Sequence, residues 1–229
     1  MKAITLILLL GVGRLLAADD TNLVAAGDWS QPDSTHDCPA IRGRLLICDT
    51  PDHASNVQRT DTAVYLELQE FSSALRSVRV YCGLHRLTLP DDAPGLRCEL
   101  RDNAGTLIPD SPGPQGFSGS EPASCWVTLM PYCSARIRVS AYGAASRLED
   151  GGLHIFLASR GAWDVHPNPT NDYYLSGTFT SAGMWKLDLD TGLPLEAKQG
   201  TPDFSYCTNI DVWSGTLNLP PVKIPVKKP

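Results

Sequence analysis

The chain is 229 residues long, with 19 basic and 25 acidic side chains, a net charge of −6 and a hydrophobic fraction of 42%. That length suits one domain with a substantial core. The acidic balance excludes nucleic acid as the main ligand, because phosphate recognition needs basic surface.

Residues 1–18 have the form of a secretory signal. Met1-Lys2 is followed by an apolar run from Ala3 to Leu10, then by small residues and Asp19-Asp20. The run is shorter than the roughly 20 apolar residues that a bilayer span needs, so cleavage after Ala18 and export are expected rather than stable membrane insertion. The body of the chain, residues 19–219, holds 14 of the basic and all 25 acidic residues. The final segment, 220–229, sets Lys223, Lys227 and Lys228 among prolines and reads as an extended, solvated basic tail.

Between these ends helical periodicity is scarce and alternation with period two dominates. In 62–69, Val64, Leu66 and Leu68 share one face, and in 75–82 the inward set is Val78, Val80 and Cys82. In 95–101, Leu96, Cys98 and Leu100 oppose Arg97, Glu99 and Arg101, and in 135–142 Ile137, Val139 and Ala141 point inward. Segments 41–48, 124–130, 152–158, 173–180, 184–189 and 207–217 are further strand candidates. Asp102-Asn103-Ala104-Gly105 and Asp190-Thr191-Gly192 carry the residues that tight turns favour, the second making 185–196 a hairpin. Residues 108–122 form a Pro/Gly/Ser-rich loop. Short strands separated by turns predict a mostly-β fold: a single disulfide-stabilised antiparallel β-sandwich or barrel domain with long loops.

Seven cysteines follow the leader. In an exported chain they imply bridges. Sequential pairing, Cys38–Cys48, Cys82–Cys98 and Cys125–Cys133, is the simplest connectivity. It leaves Cys207 as the odd thiol, available for a disulfide-linked dimer. No Cys/His spacing has the form of a metal site, and no cofactor motif is present.

Two groups of residues carry functional expectations. Arg79, Arg97, Arg101, Arg136 and Arg138 occupy outward positions of predicted strands, where guanidinium forks match carboxylates and sulfates. The segment 161–174 gathers Trp163, Asp164, His166, Asp172, Tyr173 and Tyr174 on a Pro-stiffened loop. With the arginines, Trp163 and Tyr173 make a binding surface for an extracellular protein or glycan. His166, held by Asp164 or Asp172, is the alternative: a general base in a small secreted isomerase, cyclase or hydrolase. No nucleophile elbow or complete catalytic triad accompanies it, so a secreted binding protein is the leading expectation.

Overall fold

Alternating side chains along the chain give a structure of strands. The computed structural model describes residues 22–33, 39–51, 60–71, 77–82, 95–111, 126–140, 148–157, 161–181 and 211–226. These residues form β1 (Asn22–Ala26), β2 (Ile41–Pro51), β3 (Thr60–Glu70), β4 (Val78–Tyr81), β5 (Gly95–Asp102), β6 (Leu107–Ile108) and β7 (Trp126–Leu129). They continue with β8 (Ser134–Arg138), β9 (Leu153–Phe156), β10 (Ala162–Val165), β11 (Tyr173–Ser181), β12 (Asp211–Trp213) and β13 (Gly215–Lys223). No helix occurs among the described residues.

Two four-stranded sheets, ordered β1-β2-β3-β8 and β13-β11-β5-β6, frame the molecule. A three-stranded sheet, β12-β4-β7, and a ribbon of β9 and β10 complete it. All pairings are antiparallel except β12 with β4. None of the sheets closes on itself, which removes the barrel alternative.

The core follows from the period-two pattern. Ile41, Leu45 and Ile47 of β2 and Val64, Leu66 and Leu68 of β3 meet Leu96, Leu100, Leu175, Phe179 and Leu217 of the second sheet in one buried cluster. Across that second sheet, Phe179 is opposite Leu96 and Leu217, and Leu175 is opposite Leu100 and Val222. Gly43 lets the sheets approach: a Cβ there would lie 3.1 to 3.2 Å from the Leu217, Leu219 and Leu68 side chains. Trp213, fully buried, stacks on Phe179 with centroids 6.2 Å apart, and its indole N–H donates to the Asp33 carbonyl. The other face of β2 and β3 is also covered, since Leu46, Cys48, Ala63 and Tyr65 form a second, smaller buried cluster.

Several expectations change against this frame. No disulfide joins any of the described cysteines: Cys48, Cys82, Cys98 and Cys133 are thiols. Cys82, just after β4, lies in the core as predicted, and Cys98 on β5 is half-buried against the same core, but no bridge joins them. The Cys98 thiol instead covers Gly177, its partner on β11, lying 3.1 Å from where a Cβ would sit. The Cys82 thiol donates to the Val80 carbonyl at 3.8 Å. Cys38, Cys125 and Cys207, the expected partners and the odd thiol, lie outside the described residues, as do the leader and the 185–196 hairpin.

The chain end differs as well. Residues 220–223, expected in a solvated tail, continue β13 along β11, and Val222 and Ile224 are buried. Pro220 and Pro221 are tolerated because β13 is an edge strand, where a missing N–H costs no ladder bond. The segment 161–174, expected as a loop, opens with β10.

Candidate functional site

The five arginines singled out from the sequence do not share a face. Arg79 lies on β4, Arg97 and Arg101 on β5, and Arg136 and Arg138 on β8, in three different sheets. Arg101 is occupied by Glu99 at 2.7 Å and by the Gly105 carbonyl. Arg97 is exposed opposite Thr178, and Arg79 is half-buried opposite Thr128. Trp163 is 4% exposed, a core residue whose indole N–H donates to the Ile108 carbonyl, so its ring is not available to a partner. Tyr173 is half-buried against the core.

The histidine pairs are re-sorted. His166 bonds through Nδ1 to Asp150 at 2.7 Å, not to Asp164 or Asp172. Asp164 faces His154 directly across the β9–β10 ribbon, 2.5 Å from its Nδ1. Asp172 pairs with Lys223 at 2.7 Å. The His166 contact, followed by the Gly152 N–H, holds the Asp150 carboxyl below its ordinary value. Both histidine–carboxylate pairs reach water, with His166 63% exposed. Among the described residues no three His, Cys, Asp or Glu side chains are grouped to hold a metal ion.

A denser arrangement lies on the outer face of β1-β2-β3-β8, and sequence reading missed it. Arg42 and Arg44 sit two apart on β2 and therefore share a face. The Arg42 guanidinium lies 4.0 Å from the centroid of Phe71 and 4.6 Å from that of Trp29, and Arg44 lies 4.2 Å from Trp29. The result is a four-membered stack, Phe71, Arg42, Trp29, Arg44, of alternating rings and cations. Its polar side is satisfied. Arg42 donates twice to Gln69 Oε1, at 2.8 and 2.6 Å, and Arg44 forms a 2.7 Å ion pair with Glu67. Glu67, with its side chain 4% exposed, takes Arg136 on its other oxygen at 2.9 Å.

A turn lies beside the end of β3, next to this patch. Met130-Pro131-Tyr132-Cys133 is a turn closed by Cys133 N–H donating to the Met130 carbonyl at 2.9 Å. Proline second and a positive φ third is the type II pattern, which normally places glycine or asparagine where Tyr132 stands at φ 59°. A non-glycine residue there costs about 1–2 kcal/mol. The buried Glu70 carboxylate offsets this by accepting the Tyr132 N–H at 2.6 Å, while the Glu70 N–H donates to the Cys133 carbonyl. Tyr132 and Phe71 therefore flank Glu70. Phe71, Met130 and Tyr132, 48%, 55% and 60% exposed, are large hydrophobic side chains at the end of β3 and in the turn bonded to it, with the Met130 sulfur accepting from the Ser77 hydroxyl at 3.2 Å.

Comparison with protein-family models, with curated proteins and with solved structures finds no match to this chain.

Proposed function

We propose that this chain is a secreted protein that binds an extracellular partner, a protein or a glycan, through the corner formed by Trp29, Arg42, Phe71, Met130 and Tyr132. The observation that carries this reading is the exposed Phe71–Met130–Tyr132 corner backed by the cation–ring stack. Trp, Tyr, Phe, Met and Arg are the residues enriched where proteins bind one another, whereas Lys and Glu are depleted there. The stack orders Trp29, Arg42 and Phe71, and Glu70 fixes the backbone at Tyr132, before binding, which lowers the ordering cost of association. The leader-like residues 1–18 support export. The composition favours a protein partner, and a glycan stacking on the same rings is the other outcome of the test.

A hydrolytic or isomerising role for the two histidine–carboxylate pairs is the competing reading. Each Nδ1–carboxylate contact resembles the orientation of a general base. Both pairs stand on an exposed ribbon face, where charge is screened and water competes.

The test is a screen of the processed protein against arrays of extracellular proteins and glycans, run beside Tyr132→Ala. Saturable binding that weakens at least about tenfold in the variant is expected, as for a central aromatic anchor. Binding indifferent to Tyr132→Ala overturns the assignment of the corner.

A further inference from the structure

We infer that the partner of this face is a protein segment rich in carboxylates, seated on a diagonal band of guanidiniums formed by Arg42, Arg44, Arg136 and Arg138. The inference rests on the reading of the corner as a binding site and adds the partner's chemistry and the direction in which it lies.

Strand register places these residues. Across β2, β3 and β8 the outward rows are Arg42–Gln69–Ser134, Arg44–Glu67–Arg136 and Leu46–Tyr65–Arg138. They point away from the main core, because their strand neighbours Leu45, Ile47, Leu66, Leu68 and Val139 are buried in it. Arginine occupies β2 in the first two rows and β8 in the last two, so the cations cross the sheet obliquely. They stand about 7 Å apart along a strand and about 10 Å apart from β2 to β8. Glu67 is the one carboxylate in these rows, which leaves them with more positive than negative charge on a chain whose net charge is −6. Positive charge gathered in one place on an acidic chain favours an anionic partner there.

Glu67 shows how a carboxylate is received on this face. Its two oxygens take Arg44 and Arg136 from the strands on either side, yet the Arg136 side chain remains 44% exposed and that of Arg44 23%. A guanidinium carries five N–H donors in a fixed fork, so one that holds Glu67 through one edge can take a second carboxylate through another. Arg42 is held by Gln69, a neutral partner, and Arg138 donates through Nε to the Ser140 carbonyl at 3.3 Å. The band begins at the apolar corner: Arg42 stacks on Phe71, and Ser134 directly follows the Met130–Cys133 turn. That junction separates two kinds of polyanion. A sulfated polysaccharide has no apolar side chain to cover Phe71 and Met130. An acidic protein segment supplies carboxylates to the band and an aromatic or aliphatic residue to the corner.

Fluorescence anisotropy with the full-length processed protein tests this. The probes are a glutamate-rich peptide ending in phenylalanine, the same peptide with glutamine for glutamate, and heparin. The acidic peptide is expected to bind saturably, at least about tenfold more tightly than the glutamine peptide, and to weaken steeply between about 0.05 and about 0.5 M salt. Arg136→Lys keeps the charge but loses the fork, and Arg138→Gln loses the charge. Each should weaken the acidic peptide at least about threefold, while Arg101→Gln, on the other four-stranded sheet, leaves it unchanged. Thermal melts check that the variants fold, and the salt series needs no variant. Band and corner are read separately. An acidic peptide held by the arginines but indifferent to Tyr132→Ala keeps the band and sinks the corner. An array-selected partner that needs Tyr132 but ignores salt and both arginine variants keeps the corner and overturns the inference. So does an acidic peptide that binds no better than its glutamine counterpart. Heparin that binds more tightly than the peptide, and loses that binding in the same variants, also overturns it, since the occupant is then a glycan.

Discussion

Arg44 and Glu67 stand directly opposite each other on β2 and β3, joined by a 2.7 Å ion pair whose carboxylate side chain is 4% exposed. Because Arg136 takes the other carboxylate oxygen from β8, one buried charge ties three strands and supports the ring–cation stack above it. Glu67→Ala removes the one carboxylate that, among the described residues, both guanidiniums share. The expected loss of stability is about 3 kcal/mol, the lower end for breaking a buried pair, since both arginines reach water. Urea denaturation measures it. A change below about 0.5 kcal/mol, as at an ordinary surface position, contradicts this role.

Gly43 is expected to be intolerant of bulk. A side chain there would press on Leu217, Leu219 and Leu68, which come from both sheets. Gly43→Val should therefore destabilise by about 1–3 kcal/mol, as overpacking does in a closed core. Thermal unfolding that matches wild type would mean the sheets are less closely apposed at this point.

The thiols yield a chemical prediction. Burial pushes the Cys98 thiol up to about 12, so alkylation of the folded protein near neutral pH should label exposed Cys133 ahead of Cys98 and of buried Cys48 and Cys82. A raised pKa means that stability linked to the neutral thiol is present below the ordinary thiol value of 9.0 and is lost as pH rises through about 12. Unreduced peptide mapping should recover Cys82 and Cys98 in separate peptides. A peptide linking the two contradicts the structure.

The His166–Asp150 pair has a sign that can be checked in acid. The depressed Asp150 value means that stability from this carboxylate is present above the ordinary aspartate value of 3.8 and is lost as pH falls below it. A carboxyl-detected NMR titration should place the Asp150 midpoint below 3.8 and move it back toward that value in His166→Ala. A midpoint that does not respond to the variant shows that the pair does not form in solution.

Local pattern carried the strands well. The inward sets Val64, Leu66 and Leu68, then Val78, Val80 and Cys82, are buried, as are Leu96, Leu100 and Val139 of the later sets, because period two is written in neighbouring residues. Cys98 and Ile137 are half-buried, and Ala141 lies outside the described residues. Which strands become neighbours depends on distant pairings, so the expected arginine face dissolved into three sheets. The Trp29–Arg42–Phe71 stack draws on three separate segments, and its one local signal is a pair of arginines flanking a glycine on β2. His154 and Asp164 met through the register of the β9–β10 ribbon, which no motif spacing encodes. Pro220 and Pro221 suggested a tail because proline disfavours interior strands, whereas β13 lies at an edge.

The central claim is that recognition resides in the corner around Phe71 and Tyr132. The most direct test is the dissociation constant of the processed protein for its array-selected partner, measured for wild type, Phe71→Ala/Tyr132→Ala and His166→Ala. Both corner residues are exposed, so the double variant should fold as wild type does. The account predicts an affinity loss of at least about thirtyfold in the double variant, the scale of a 2 kcal/mol hot spot, and no change in His166→Ala. Undiminished affinity in the double variant, together with loss of binding or turnover in His166→Ala, would contradict it and move the site to the β9–β10 ribbon.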